Sequence, residues 1–340
     1  MKYRLHVVLA VGFFAATRVA IAQDSPVAVT VENFVRAESD LYFGAVAKKG
    51  GFGKFDHTRD LTPIDEQTVV RLNRDTLYSA GVFDLDAAPV TIDLPDSGDR
   101  FISMHVMNQD QYTISVNYEA GEYKLDRDKV GTRYVMVAVR TLVNPKKPGD
   151  LDVVRGLQDS IGVKQSSSGE FEVPSWDRVS QKKVRDALVV LADTLPDRNR
   201  MFGSRSEVEP VRYLLGAASA WGGNPSKDAI YLNVVPDKND GKTIYRLTVN
   251  EVPVRDFWSI SVYNREGYYQ RNDAEIYTIN SLTSVANADG SVTVQFGGKP
   301  GDAPNVLPIV PGWNYMIRLY RPAPEVLSGE WQFPVATEHK

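Results

Sequence analysis

RLNRDTLYSAGVFDL, residues 71–85, sets four polar side chains, Asn73, Arg74, Asp75 and Thr76, directly before Leu77, Tyr78, Val82, Phe83 and Leu85. A polar knot followed by an apolar, β-rich run is the pattern of a strand entering a core from a turn. The knot itself has two readings, a binding site at the mouth of the strand or a salt-bridged turn, and residue types alone leave both open.

Working outward, short β-rich runs continue at 90–94, 101–107, 113–118 and 134–141, separated by turn clusters such as Pro95-Asp96-Ser97-Gly98 and Glu119-Ala120-Gly121. Short strands at hairpin spacing predict an antiparallel sandwich or barrel. Upstream, Val31, Phe34, Val35, Leu41, Ala45 and Val46 recur at helical spacing, so a helix is expected over 30–47, ended by Gly50-Gly51. GGFGKF at 50–55 lacks the spacing and the hydroxyl residue of a phosphate loop. Thr62-Pro63-Ile64-Asp65-Glu66 has the cap, proline and acids that start a helix, expected to run from 63 to about 72.

Downstream, a helix is expected over 151–161, and the serine-rich stretch KQSSSGEFEVPS, 164–175, lacks periodicity and divides the chain. The second half repeats the order, with helices at 177–192 and 210–221 before strands at 230–235, 243–250, 257–263, 275–279, 282–286, 292–296, 313–320 and 331–335. The expected class is therefore mainly β with flanking helices (α+β), as two β-sandwich domains: 23–163, a linker at 164–175, and 176–340. Residues 1–22 have the form of a secretory signal peptide, with Lys2 and Arg4, an apolar run, and Ala20-Ile21-Ala22 as cleavage site. A periplasmic or secreted protein is expected, without a membrane span once the leader is gone.

Composition narrows function. Losing Lys2, Arg4 and Arg18 with the leader takes the formal charge from −4 to about −7, which argues against a nucleic-acid partner. Zero cysteines remove disulfides and thiolate chemistry, and 4 histidines, one of them in the leader, argue against a multi-histidine metal site. No cofactor and no metal are expected.

Several motifs together resemble a known pair of bacterial domains. NRDTLYS at 73–79, VFDL at 82–85, Arg140-Thr141 and Leu157-Gln158-Asp159 resemble the domain of unknown function twelve fifty-four. Trp221-Gly222-Gly223, YRLTV at 245–249, FWSISVYN at 257–264, ADGSVTVQFG at 288–297, GWNYMIRLYRP at 312–322 and GEWQFP resemble its usual companion, domain of unknown function twelve fourteen. The resemblance implies two sandwiches of jelly-roll type in an exported bacterial protein, and it carries no chemistry.

Candidate site residues follow from strand alternation. Over 134–141, Arg140 shares a face with Tyr134, Met136 and Ala138, and a guanidinium there needs an acceptor or water. Asp75 is the expected partner in a structural ion pair, with an anion-binding arginine as the other reading. In 257–264 and 313–320, Trp258, Ile260, Val262, Trp313, Tyr315, Ile317 and Leu319 form an expected core. The opposite faces carry Ser259, Ser261, Tyr263, Arg318 and Tyr320, either lining a cleft for a small amphipathic or carboxylate ligand or forming a solvated sheet face. No G-x-S-x-G elbow exists, and Ser79, Ser103 and His105 are the only set that hints at a serine hydrolase. The leading expectation is a small-molecule-binding or homo-oligomeric protein. The alternatives are a hydrolase with Asn73, Arg74, Asp75, Tyr78 and Arg140 at its site, and a purely structural assembly protein.

Overall fold

A computed structural model describes residues 25–339; the expected leader lies outside them. The strand opened by the 71–85 stretch, β2 (Thr76–Asp84), lies between β1 (Asp56–His57) and β7 (Tyr134–Leu142), with which it pairs antiparallel over nine residues. β4 (Ile102–Asn108) and β5 (Thr113–Asn117) complete a five-stranded sheet of order β1-β2-β7-β4-β5. Facing it is a three-stranded sheet in which β3 (Val90–Leu94) is flanked by β6 (Gly121–Leu125) and β8 (Gly162–Gln165). Phe83, Val90, Ile92, Met104, Val106, Val135, Val137 and Val139 interdigitate between them as the first core.

The second sandwich has two four-stranded sheets. One holds β9 (Ala229–Val234), β11 (Trp258–Tyr263), β12 (Thr278–Asn280) and β15 (Asn314–Tyr320) in the order β12-β11-β15-β9. The other holds β10 (Tyr245–Val249), β13 (Val292–Phe296), β14 (Val306–Leu307) and β16 (Thr337–Glu338) in the order β14-β13-β10-β16, where the β13–β14 pair alone among the described ladders is parallel. Their core contains Leu247, Ile260, Val294, Phe296, Tyr315, Ile317 and Leu319, with Trp313 fully buried beside them. The inward set expected from alternation is the set observed.

Helices flank the sheets. α1 (Phe34–Lys48) packs on α4 (Arg178–Ala192) and α5 (Pro210–Ala220) through Phe34, Ala37, Leu188, Leu215 and Ala217. The buried Glu38 of α1 is answered by Arg185 of α4 at 2.6 Å. α4 starts on an Asp177 cap and α5 on a Glu209 cap followed by Pro210, as the start signals dictate. α2 (Arg127–Val130), α3 (Asp150–Asp159) and α6 (Pro324–Ser328) are short connectors. Between the halves, residues 164–175 complete β8 and then run extended, with Phe171 packed on Phe52 and Tyr134. No helix among the described residues is long and apolar enough to cross a membrane.

Three local expectations are corrected. The helix expected from 63 to 72 is a single 3₁₀ turn, Ile64–Glu66. Gln67 donates from Nε2 to both Ile64 O and Tyr269 O, and the Arg71 N–H goes to Gly267 O, so ties to the second sandwich replace helical bonds. Residues 282–286 form no strand, because the Asn280 side chain accepts from the Leu282 and Thr283 N–H groups and folds a turn. Residues 331–335 also pair with no strand; Phe333 packs on Trp258 instead.

Ile260 sits at the centre of the second core with no exposure. Ile260→Ala is expected to cost about 2–5 kcal/mol, measured as a lowered urea midpoint at unchanged slope.

Candidate functional site

The outer face of β11 and β15 is turned onto the first sandwich, and the 71–85 stretch threads that seam. Arg71 adopts a left-handed φ of 54°, and its Nη1 donates to Asn314 Oδ1 at 2.6 Å. The next carbonyl, Leu72 O, accepts from Tyr263 Oη at 2.8 Å. Asn73 Oδ1 accepts from the Asp75 N–H, an Asx turn, while Asn73 Nδ2 donates to Tyr320 Oη at 3.0 Å and, at greater length, to Thr76 Oγ1 and Tyr78 Oη. The Arg74 guanidinium donates to Thr62 O and lies 5.5 Å from the Tyr277 ring centroid. Of the four polar side chains, Asn73 and Asp75 hydrogen-bond across the seam, and Arg74 reaches across it through the Tyr277 ring.

Asp75 does not meet Arg140. It is buried, and its Oδ1 accepts from Asn280 Nδ2 at 3.0 Å and Thr278 Oγ1 at 3.3 Å, while Oδ2 has no partner among the described residues. Arg140 instead donates from Nη1 to Asn224 Oδ1 at 3.2 Å and lies over the Tyr78 ring, its cross-strand neighbour, at 5.4 Å. In place of the expected ion pair, each of the two groups has neutral partners of its own. Geometry decides this: Asp75 precedes β2 and faces β12, whereas Arg140 lies on β7 beneath the Trp221–Asn224 turn.

That turn depends on its glycines. Gly222 has φ 73°, and a Cβ at Gly223 would collide with the Phe202 ring, so the pair lets the chain dip far enough to bring Asn224 to Arg140. Asn224 Nδ2 then donates to Tyr231 Oη at 2.8 Å. Burial alone would push the Tyr78 phenol up, but the Arg140 charge, with hydrogen bonds from Asn73 and Thr76, outweighs it and holds the group below its ordinary value. Burial pushes the neighbouring Tyr231 and Tyr320 phenols up.

Arg318 is buried and bonded from both terminal nitrogens. Nη1 donates to Ser261 Oγ at 2.9 Å, and Nη2 to Arg71 O at 2.8 Å, Leu72 O at 3.3 Å and Tyr263 Oη at 2.7 Å. Ser259 is buried with its hydroxyl unpartnered. The face carrying Ser259, Tyr263 and Arg318 is therefore neither a solvated sheet face nor the wall of an open cleft; it is the inner surface of the seam.

Two clefts open along the seam. One, of about 280 Å³, is lined by Arg100, Phe101, Asp150, Arg255, Asp256 and Phe257. Burial pushes the Asp256 carboxyl up to about 6, and its Oδ2 has no partner among the described residues. The other, of about 550 Å³, is lined by residues of both halves, among them Leu61, Ile64, Arg74, Lys146, Arg271 and Tyr277, with Thr278 and Asn280, the partners of Asp75, also on its wall.

Sequence reasoning missed Asn224 and Tyr231, which join Arg140 only in three dimensions, and the His57 Nδ1–Ser79 Oγ contact of 2.7 Å. The latter follows from the β1–β2 register, and no spacing signal announces a two-residue strand. Ser79 is 1% exposed, so its hydroxyl is closed to a substrate, and His105 bonds Thr113 rather than Ser103. No cluster of three His, Cys, Asp or Glu side chains able to hold a metal occurs among the described residues.

Fold and seam together define a two-sandwich β protein whose halves are joined by buried polar groups. Residues 52–124 match the family described as protein of unknown function DUF1254, and residues 228–324 match protein of unknown function DUF1214, so the chain carries this pair in that order. The VPA0106 protein from Vibrio parahaemolyticus is similar in fold, with TM-score 0.70 at 19% identity over 91% of this chain and 98% of its own. An uncharacterized protein from Burkholderia cenocepacia gives TM-score 0.50 at 12% identity over 86% and 84%. Likeness at such identities is likeness of fold. No curated protein matches the sequence.

Two measurements check the electrostatics. Ultraviolet titration is expected to show a tyrosine ionising below the ordinary value of 10.0, absent in Tyr78→Phe. For Asp256 the folded value near 6 exceeds the ordinary 3.8, so ionisation opposes folding and stability is lost as pH rises between them. Asp256→Asn is accordingly expected to raise Tm at about pH 7.5 and to leave it unchanged at about pH 4.

Proposed function

We propose that the protein binds a small, anionic, partly apolar molecule, a carboxylate with a hydrocarbon or aromatic body, in the 550 Å³ cleft between its sandwiches. The observation that carries this reading is Arg74: a partly buried guanidinium on the cleft wall with no carboxylate in ion-pair contact among the described residues. Its neighbours on the wall are already engaged, Arg271 with Asp65 and Lys146 Nζ with Thr283 O at 2.7 Å. Burial pushes the Arg74 value down by more than the nearby Tyr269, Tyr277 and Glu275 push it up, so no group among the described residues fully offsets the burial of this charge. A carboxylate placed on its free N–H groups would gain a charge-assisted fork, and Leu61, Pro63, Ile64, Ile276 and the Tyr277 ring supply apolar wall for the rest of the molecule. The volume is that of a small-ligand pocket, about 300–1,000 Å³. The leader-like residues 1–22 support placing this binding outside the cytoplasm.

Isothermal titration with octanoate and phenylacetate tests the reading. At least one is expected to bind, with Arg74→Met weakening it about tenfold or more. Absence of binding by either, or affinity unchanged in Arg74→Met, would count against it.

A further inference from the structure

The outer face of the five-stranded sheet carries three cross-strand rows. Register aligns Tyr78, Arg140 and Ser103 in the first, Ala80, Ala138 and His105 in the second, and Val82, Met136 and Met107 in the third. The second row is short on two of its three strands. Ala80 and Ala138 keep accessible surface although β2 and β7 are interior strands of the sheet, and so does Tyr78, so the face beside Arg140 is not fully closed by packing and the short side chains leave space on it. Asn224 and Tyr231 bound it from the second half.

What borders this space is cationic and has no carboxylate partner among the described residues. Arg140 is 9% exposed, and the groups acting on its charge are the phenols of Tyr78, Tyr231 and Tyr320, with no carboxylate among them. His105, with no exposure, bonds Thr113 through Nε2 and leaves Nδ1 without a partner among the described residues. Burial and the Arg140 charge push His105 down to about 3, so its ring is neutral at ordinary pH and contributes no second charge. Burial alone would push the Arg140 value down, but the phenols outweigh it and hold the value above its ordinary one, so the guanidinium keeps its charge at this depth without a carboxylate. An oxyanion beside it is the counterion it lacks among the described residues.

We propose that this space is a second, deeper anion site, in which Arg140, assisted by the Tyr78 and Tyr231 hydroxyls, holds a compact oxyanion, a carboxylate or phosphate group with little attached to it. It uses no residue of the Arg74 cleft and stands whether or not the cleft binds a ligand. The short Ala80–Ala138 row sets the size limit.

The test uses the whole chain, with inorganic phosphate and acetate as separate probes in titration calorimetry at constant ionic strength set by sodium chloride. Wild type is expected to bind at least one, and which one identifies the group. Asn224→Asp places a carboxylate on Arg140, and is expected to raise Tm without added anion and to weaken anion binding about tenfold or more. Ala138→Leu fills the space while keeping the charge, and is expected to lose binding equally. All variants are compared in an Arg74→Met background, which removes the carboxylate fork of the cleft, and binding of at least one probe is expected to persist there when the second site is intact, which separates this site from the cleft. Lack of binding of both probes by wild type, or binding retained in Asn224→Asp, would overturn the proposal.

Discussion

The hydrogen bonds of one buried guanidinium join the two halves of this protein. Arg318 reaches from β15 of the second sandwich to the carbonyls of Arg71 and Leu72, on the approach to β2 of the first. A guanidinium is a rigid donor fork with no acceptor of its own, and once buried it must find oxygen atoms. Here two of them are backbone, so the position of the main chain at 71–72 is set by the second sandwich. The fixed carbonyls place Asn73, its Asx turn orders Asp75 and Thr76, and β2 begins there. Asparagine, tyrosine and serine side chains then complete a seam that apolar packing at Phe101, Phe257 and Tyr320 reinforces but does not orient.

Much of this fold is written in local pattern. Period-two alternation separates Trp313, Tyr315, Ile317 and Leu319 from Arg318 and Tyr320, and the second core contains that first set. Cap signals at Asp177 and Pro210 place α4 and α5 within a residue of where they start. Local pattern fails where distant residues take over backbone groups. The capped segment after Thr62 has every helical start signal, yet Gln67 and Arg71 bond to Tyr269 and Gly267, about two hundred residues away, and the helix is lost after one turn.

The site was legible as a set of residues and not as an arrangement. Asn73, Tyr78 and Arg140 converge, and Asp75, Ser259, Tyr263 and Arg318 gather at the same seam, but the pairing guessed from charge alone, Arg140 with Asp75, does not form. Charge complementarity ignores direction, and strand register supplies it: Tyr78 and Arg140 are opposite each other on one sheet face while Asp75 lies beyond the strand's start. The consequence is electrostatic. A chain with an acidic total keeps Arg74 and Arg140 near the seam with neutral partners, which is the opposite of what average composition suggests.

The tie from Arg318 to Arg71 spans 247 positions of the chain. A ribosome delivers the first sandwich long before the strand that carries its clamp, so Tyr78 and Arg140 emerge uncovered and the approach to β2 is unanchored until almost the whole chain has been made. Contacts of such separation slow the final assembly. For this protein the N-terminal sandwich is born unfinished, and its completion waits on the C-terminal end of the chain.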